Sequence, residues 1–129
     1  MNPSELHFIV AFVQPFVLEG LVDVLRLVSN FPGMSVSEVR GFGRHLAHAP
    51  RDAEVTEVEP FEKRVRIEIG CRSAELQPIL DTLAAAAHTG NAGDGKIFVM
   101  TMARAIRIRT REAGSESLLL GRPSDEPHA

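Results

Sequence analysis

Residues 89–99, Thr89-Gly90-Asn91-Ala92-Gly93-Asp94-Gly95-Lys96-Ile97-Phe98-Val99, hold the densest group of chemically capable residues in the chain. Three glycines let a backbone turn tightly and aim successive N–H groups at one anion. Lys96 closes the run with a point charge of the kind that holds phosphate. Gly90, Gly95 and Lys96 also satisfy most of a Walker A pattern. Ile97, however, stands where that pattern needs a Ser or Thr for magnesium. The order of elements is also wrong for a P-loop, since this stretch follows a helix and opens a strand. Further positive charge can come from Arg107 with Arg109 and from Arg44. On residue types alone, the loop reads equally as a phosphate cradle or as a tight helix-to-strand turn with a solvated lysine. The arginine pair alone reads as a solvated strand face, and Asp94 as a turn cap rather than a metal ligand.

The elements that must position these groups follow from periodicity. Leu6 to Val13 is apolar on both faces except at His7, which predicts a central strand covered on both sides. Leu18, Leu21, Val22, Leu25 and Val28 recur at helical spacing, with an end near Asn30 and a turn at Pro32-Gly33. Met34 to Arg40 reads as a second strand, followed by Gly41-Phe42-Gly43-Arg44. Arg64 to Cys71 alternates cleanly and predicts a third strand. Ser73 is expected to N-cap a second helix with Leu76, Ile79, Leu80 and Leu83 buried, Ala84 to Ala87 packing closely, and Gly90 at its C′ stop. Lys96 to Arg104 is the predicted fourth strand, and Ala105 to Thr110 a short C-terminal one. The order is β-α-β-β-α-β, an α+β arrangement of the ferredoxin-like kind. Residues 45–62 show no clear period, and a connection that long in a compact domain points to function. They are read as a mobile arm that binds a partner.

Composition narrows the classes. The 129 residues suffice for one domain, here residues 1–112, with 113–129 a frayed polar tail. A net charge of −3 gives no field that favours nucleic acid. An RNA-binding module on this fold would need exposed aromatics, and Tyr and Trp are absent. No apolar run reaches membrane-spanning length, the start lacks a positive signal segment, and Cys71 is the one cysteine, so a cytoplasmic protein is expected.

Three blocks carry a resemblance: Val36-Ser37-Glu38-Val39-Arg40-Gly41-Phe42-Gly43-Arg44, the 89–99 stretch, and Arg104-Ala105-Ile106-Arg107-Ile108-Arg109-Thr110. Over residues 6–112 the chain resembles the PII signal-transduction family. The resemblance implies a homotrimer of ferredoxin-like subunits with an adenine nucleotide (ATP, ADP or AMP) in the clefts between neighbours. Residues 89–96 would be the B-loop and residues 43–62 the T-loop that engages a partner, a membrane transporter or an enzyme. Carried over, the nucleotide would meet Thr89, Gly93, Asp94, Gly95 and Lys96 of one subunit and Arg107 and Arg109 of the next. Ser35 stands where an adenine-contacting threonine is usual, and Gly41, Gly43 and Arg44 lie at the T-loop base.

The departures bear on the co-effector. Gln14 and His45 replace a lysine and a glutamine, and Arg64 replaces a lysine, around the site where nitrogen-sensing members hold magnesium and 2-oxoglutarate. Glu57 replaces the tyrosine that enteric members modify, and Asn91 replaces a B-loop lysine, which favours nucleotides with fewer phosphates. The chain is similar to branches that accompany carboxysome or bicarbonate-transport genes, or cation-efflux pumps. A metal at His45, His48, Glu54, Glu57 and Glu59 is weighed and set below solvated loop side chains. An anion such as bicarbonate at Gly43, Arg44, His45 and Arg64 is preferred. The alternatives are a MgATP/2-oxoglutarate nitrogen sensor and, from another class, a slow ATPase; the latter has no positioned general base beyond Asp94.

Overall fold

The computed structural model describes residues 5–42 and 61–119. Four strands form one sheet: β1 (Leu6–Val13), β2 (Ser35–Gly41), β3 (Glu62–Arg72) and β4 (Gly95–Met102). Two helices, α1 (Leu18–Leu25) and α2 (Ser73–Ala87), cross between them. The strand order is β2-β3-β1-β4 with every neighbouring pair antiparallel, so β1 is central, as its apolar run requires. This is the ferredoxin-like βαββαβ order.

Alternation divides the sheet into two faces. Ile9, Ala11 and Val13 of β1 share one face with Val65, Ile67, Ile69 and Cys71 of β3, and all are buried. Leu21 and Leu25 of α1, with Leu76, Ile79 and Leu83 of α2, complete that core. Burial pushes the Cys71 thiol up to about 11, with the nearby Glu75 charge adding to the effect, so it stays protonated and inert at neutral pH. On the other face, Phe98 and Met100 of β4 are about half exposed beside the partly covered Phe8 and Phe12. β1 itself is buried or partly buried on both faces, as expected, with Leu6 and Val10 of this second face each 4% exposed; the open surface is that of β4.

Several boundaries differ from the sequence reading. The first helix stops at Leu25 rather than near Asn30, because the Leu27 and Val28 N–H groups donate i−3 hydrogen bonds to the carbonyls of Val24 and Leu25 and wind the chain into turns. Asn30 and Gly33 then adopt positive φ before β2 begins at Ser35. β3 is longer at both ends than predicted. Ser73 is not an N-cap: Arg72 holds that position in extended backbone, and Ser73 is the first helical residue. The Ser73 hydroxyl instead donates to the Glu5 carbonyl at 3.3 Å and lies 3.0 Å from Nε2 of the buried His7, tying the helix start to the start of β1. Gly90 is not the C′ residue either, since α2 ends at Ala87 and His88 is already extended. β4 ends at Met102, two residues before the predicted Arg104.

The C-terminal strand is reduced to a single bridge between Ile106 and Ala113. The run 105–110 alternates, but the Arg111 N–H bonds to the Arg107 carbonyl, and with Arg111 at φ 62° the chain folds back on itself. Residues 43–60, most of the expected arm, and the tail from residue 120 lie outside the described residues. Among those described, no helix is long and apolar enough to cross a membrane.

Candidate functional site

A cavity of about 970 Å³ lies at one end of the sheet. Residues 91–96 form one wall, and Val39, Arg40, Gly41 and Phe42 at the end of β2 form the other. Phe12, Phe98 and Arg64 line the space between. The register explains the grouping: Phe12 pairs with Lys96 across β1–β4, and Gly41 pairs with Glu62 across β2–β3.

The glycine loop is built from within. The Asp94 carboxylate accepts hydrogen bonds from the Thr89 N–H at 2.7 Å, the Gly90 N–H at 2.9 Å, and the Thr89 hydroxyl. The Thr89 hydroxyl, then the Thr89 N–H, hold the Asp94 carboxyl below the usual carboxylate range. Asp94 is thus the turn cap that its place between two glycines predicts. Gly95 has no substitute: at φ 116°, a Cβ there would lie 1.8 Å from the Phe12 carbonyl oxygen. That close approach lets β4 begin directly against the end of β1. Gln14, just past β1, donates from Nε2 to the Gly93 carbonyl at 2.8 Å.

The charges are unevenly committed. Among the described residues, no carboxylate lies within ion-pair distance of Lys96. Arg64 is mostly buried, at 12% side-chain exposure, and its guanidinium donates to Glu62 and to the Lys63 carbonyl, each at 2.8 Å. Phe42 and Phe61 close the root of the excursion, with ring centroids 5.5 Å apart. Arg66 lies over the Phe12 ring at 5.6 Å and pairs with Glu68.

Of the sequence-predicted residues, Gly41, Gly93, Asp94, Gly95, Lys96 and Arg64 meet at this cavity, with Thr89 behind the loop. Gly43, Arg44 and His45 lie outside the described residues. Ser35 begins β2 and Gly41 ends it, so the two sit about 20 Å apart at roughly 3.3 Å per residue. Arg107 does not line the cavity, and its guanidinium donates to the carbonyls of Ser117 and Leu119. Arg109 is exposed elsewhere on the chain. Sequence reasoning missed the cavity roles of Phe12, Arg40 and Phe98. Register alone brings them there, although one Phe on each flank of residues 43–60 was a readable signal for the closed root. Among the described residues, no three His, Cys, Asp or Glu side chains cluster as a metal site.

Sheet order, cavity and glycine loop together define a ferredoxin-like module with a ligand-sized cavity at one end of its sheet. The chain belongs to the nitrogen regulatory protein P-II family: the family model of that description matches residues 6–112. It is 37% identical over 115 residues to the nitrogen regulatory protein GlnK of Escherichia coli K12, covering 88% of this chain and all of GlnK. Solved structures agree. A GlnK–ATP complex of B. subtilis matches with a TM-score of 0.71 at 26% identity, over 91% of this chain and 99% of that one. Arabidopsis thaliana PII bound to citrate matches with a TM-score of 0.71 at 31% identity, over 88% and 92%.

Proposed function

We propose that this protein is a cytoplasmic regulator that binds an adenine nucleotide at the glycine loop and reports it through the arm of residues 43–62. The observation that carries the proposal is the shared cavity, which has the loop and Lys96 on one side and the root of the arm at Gly41 and Phe42 on the other. A phosphate group at Lys96 is then within reach of the arm's base, so ligand and arm conformation are coupled. A ligand shifts the arm only by binding one of its states better than the other. The ATP in the GlnK structure of B. subtilis supports a nucleotide as that ligand.

The working unit is a homotrimer. The apolar sheet face carrying Phe98 and Met100 needs a cover that the described chain does not supply. Ser35 stands at the end of β2 away from the cavity, and Arg107 and Arg109 do not line it; these three are assigned to a nucleotide held by a neighbouring subunit. Within one subunit Thr89, Gly93, Asp94, Gly95 and Lys96 shape the phosphate site, and Gly43 and Arg44 are assigned to the same nucleotide. Asp94 has its carboxylate occupied by three donors, which makes it a poor general base and favours a regulator over a slow ATPase.

The co-effector is a small anion at Arg64, with Gly43, Arg44 and His45 assigned to the same site. Bicarbonate suits the site better than 2-oxoglutarate, because Gln14 is neutral and Arg64 already has a carboxylate. The citrate held by Arabidopsis PII favours keeping a carboxylate ligand as the second reading. The regulated partner is a transporter or enzyme met by the arm. The test is calorimetric titration with ATP, ADP and AMP, each with and without 2-oxoglutarate and bicarbonate. Nucleotide binding modulated by bicarbonate supports the proposal. Tighter MgATP binding with 2-oxoglutarate replaces it with a nitrogen sensor, and no nucleotide binding overturns it.

A further inference from the structure

β1 stops at Val13, and the next residue is Gln14. Pro15 follows, and a proline ring disfavours helical backbone in the residue before it. Gln14 accordingly keeps φ −67° and ψ 140°, although a helical turn begins at Pro15. Its side chain reaches across to the loop that precedes β4, where Val13 pairs with Gly95. The amide Nε2 donates to the Gly93 carbonyl at 2.8 Å, joining residues 79 positions apart. Asp94 fastens the other flank of the same loop through the N–H groups of Thr89 and Gly90.

We propose that Gln14 is a positioning residue of the phosphate site, fixing the Gly93–Asp94 peptide so that the loop is shaped before a ligand arrives. This rests on the nucleotide reading above. In a trans peptide the C=O and N–H point opposite ways, so holding the Gly93 oxygen also sets the direction of the Asp94 N–H. Gly93 lies at φ 89° and has no side chain of its own to hold that peptide. A loose glycine loop loses freedom when phosphate orders it, and ordering it beforehand removes that loss. Because the amide is neutral, it shapes the loop without adding to the charge of Lys96. The phosphate end of a ligand is affected and the base end is not.

Gln14→Met keeps the length and removes the donor, whereas Gln14→Lys keeps a donor on a long stem. The full-length protein is titrated with ADP and AMP, and adenosine is measured by competition against ADP. Gln14→Met is expected to weaken ADP binding about three- to tenfold, the worth of one neutral hydrogen bond, with adenosine changed less than about twofold. Gln14→Lys recovers or exceeds the ADP affinity. In the ligand-free protein, amide hydrogen exchange over residues 90–96 speeds up in Gln14→Met and slows again in Gln14→Lys. Gln14→Ser, too short to reach Gly93, repeats the test if the Met variant does not fold. Equal losses for ADP and adenosine, or unchanged exchange with unchanged ADP affinity, overturn the proposal. Failure of the wild type to bind ADP or AMP overturns the nucleotide reading instead, and the exchange comparison still decides whether Gln14 pins the loop.

Discussion

Lys96→Ala is the sharpest perturbation of the proposed nucleotide site. Lys96 is the second residue of β4, exposed, and faces the cavity beside Phe12. No described carboxylate neutralises it, so among the described residues its removal breaks no ion pair. What is lost is a charge-assisted hydrogen bond to phosphate, worth about 1.5–3 kcal/mol. That converts to roughly 10- to 150-fold weaker binding of ADP or ATP. The cavity is open to solvent, so salt screens the interaction, and wild-type affinity should fall more steeply with ionic strength than that of the variant. The fold should be unaffected, because an exposed substitution away from the core changes stability by no more than about 0.5 kcal/mol. Calorimetry at two salt concentrations, with sedimentation to compare the oligomeric state with that of the wild type, reads all three quantities. Unchanged affinity in a variant of unchanged oligomeric state would refute the assignment of phosphate to this loop.

Other outcomes test the surrounding features. Asp94 titrates below the usual carboxylate range, so its contribution to loop order is present above about pH 4 and is lost as pH falls through its lowered value. Nucleotide affinity should therefore be flat from neutral pH to about 5 as far as this group is concerned, and Asp94→Asn should weaken binding across that range; a variant that binds like the wild type speaks against the turn-cap role. Glu62→Gln removes the charge that compensates Arg64 and should raise affinity for a small carboxylate such as citrate severalfold, read by calorimetry; no gain would mean that Arg64 does not face an anion site. Phe98→Asp places a charge on the exposed sheet face and should shift the proposed trimer toward monomer in sedimentation at micromolar concentration. A trimer of undiminished stability would place the subunit contact elsewhere.

The sheet was legible in the sequence where one physical signal dominated. A run apolar at every position but His7 marked β1 to the residue, and strict alternation marked the middle of β3. The glycine loop was legible because few other residues tolerate its backbone angles. What the sequence hid was long-range competition for polar groups. Ser73 has the chemistry of a cap, but His7 and Glu5, brought near by the β1–β3 register, take its hydroxyl. The alternating run 105–110 reads as a strand because local pattern does not reveal that it pairs only with its own continuation. Gln14 and Arg64 were visible as departures from a family pattern, yet their partners Gly93 and Glu62 follow only from geometry. The sequence spacing of Arg107 and Arg109 says nothing of Ser117 and Leu119, whose carbonyls occupy the Arg107 guanidinium.

The closed root of the arm has an evolutionary consequence. The chain leaves the sheet at Gly41 and re-enters opposite it at Glu62, with the rings of Phe42 and Phe61 in tilted contact across the gap. The two ends meet whatever lies between them, so the intervening sequence can be lengthened, shortened or rewritten without moving the cavity walls. Doubling such a segment costs only about 0.6 kcal/mol of closure entropy. Exchange of this insert alone would leave the sheet and the cavity walls in place, so the surface it presents can change independently of the cavity.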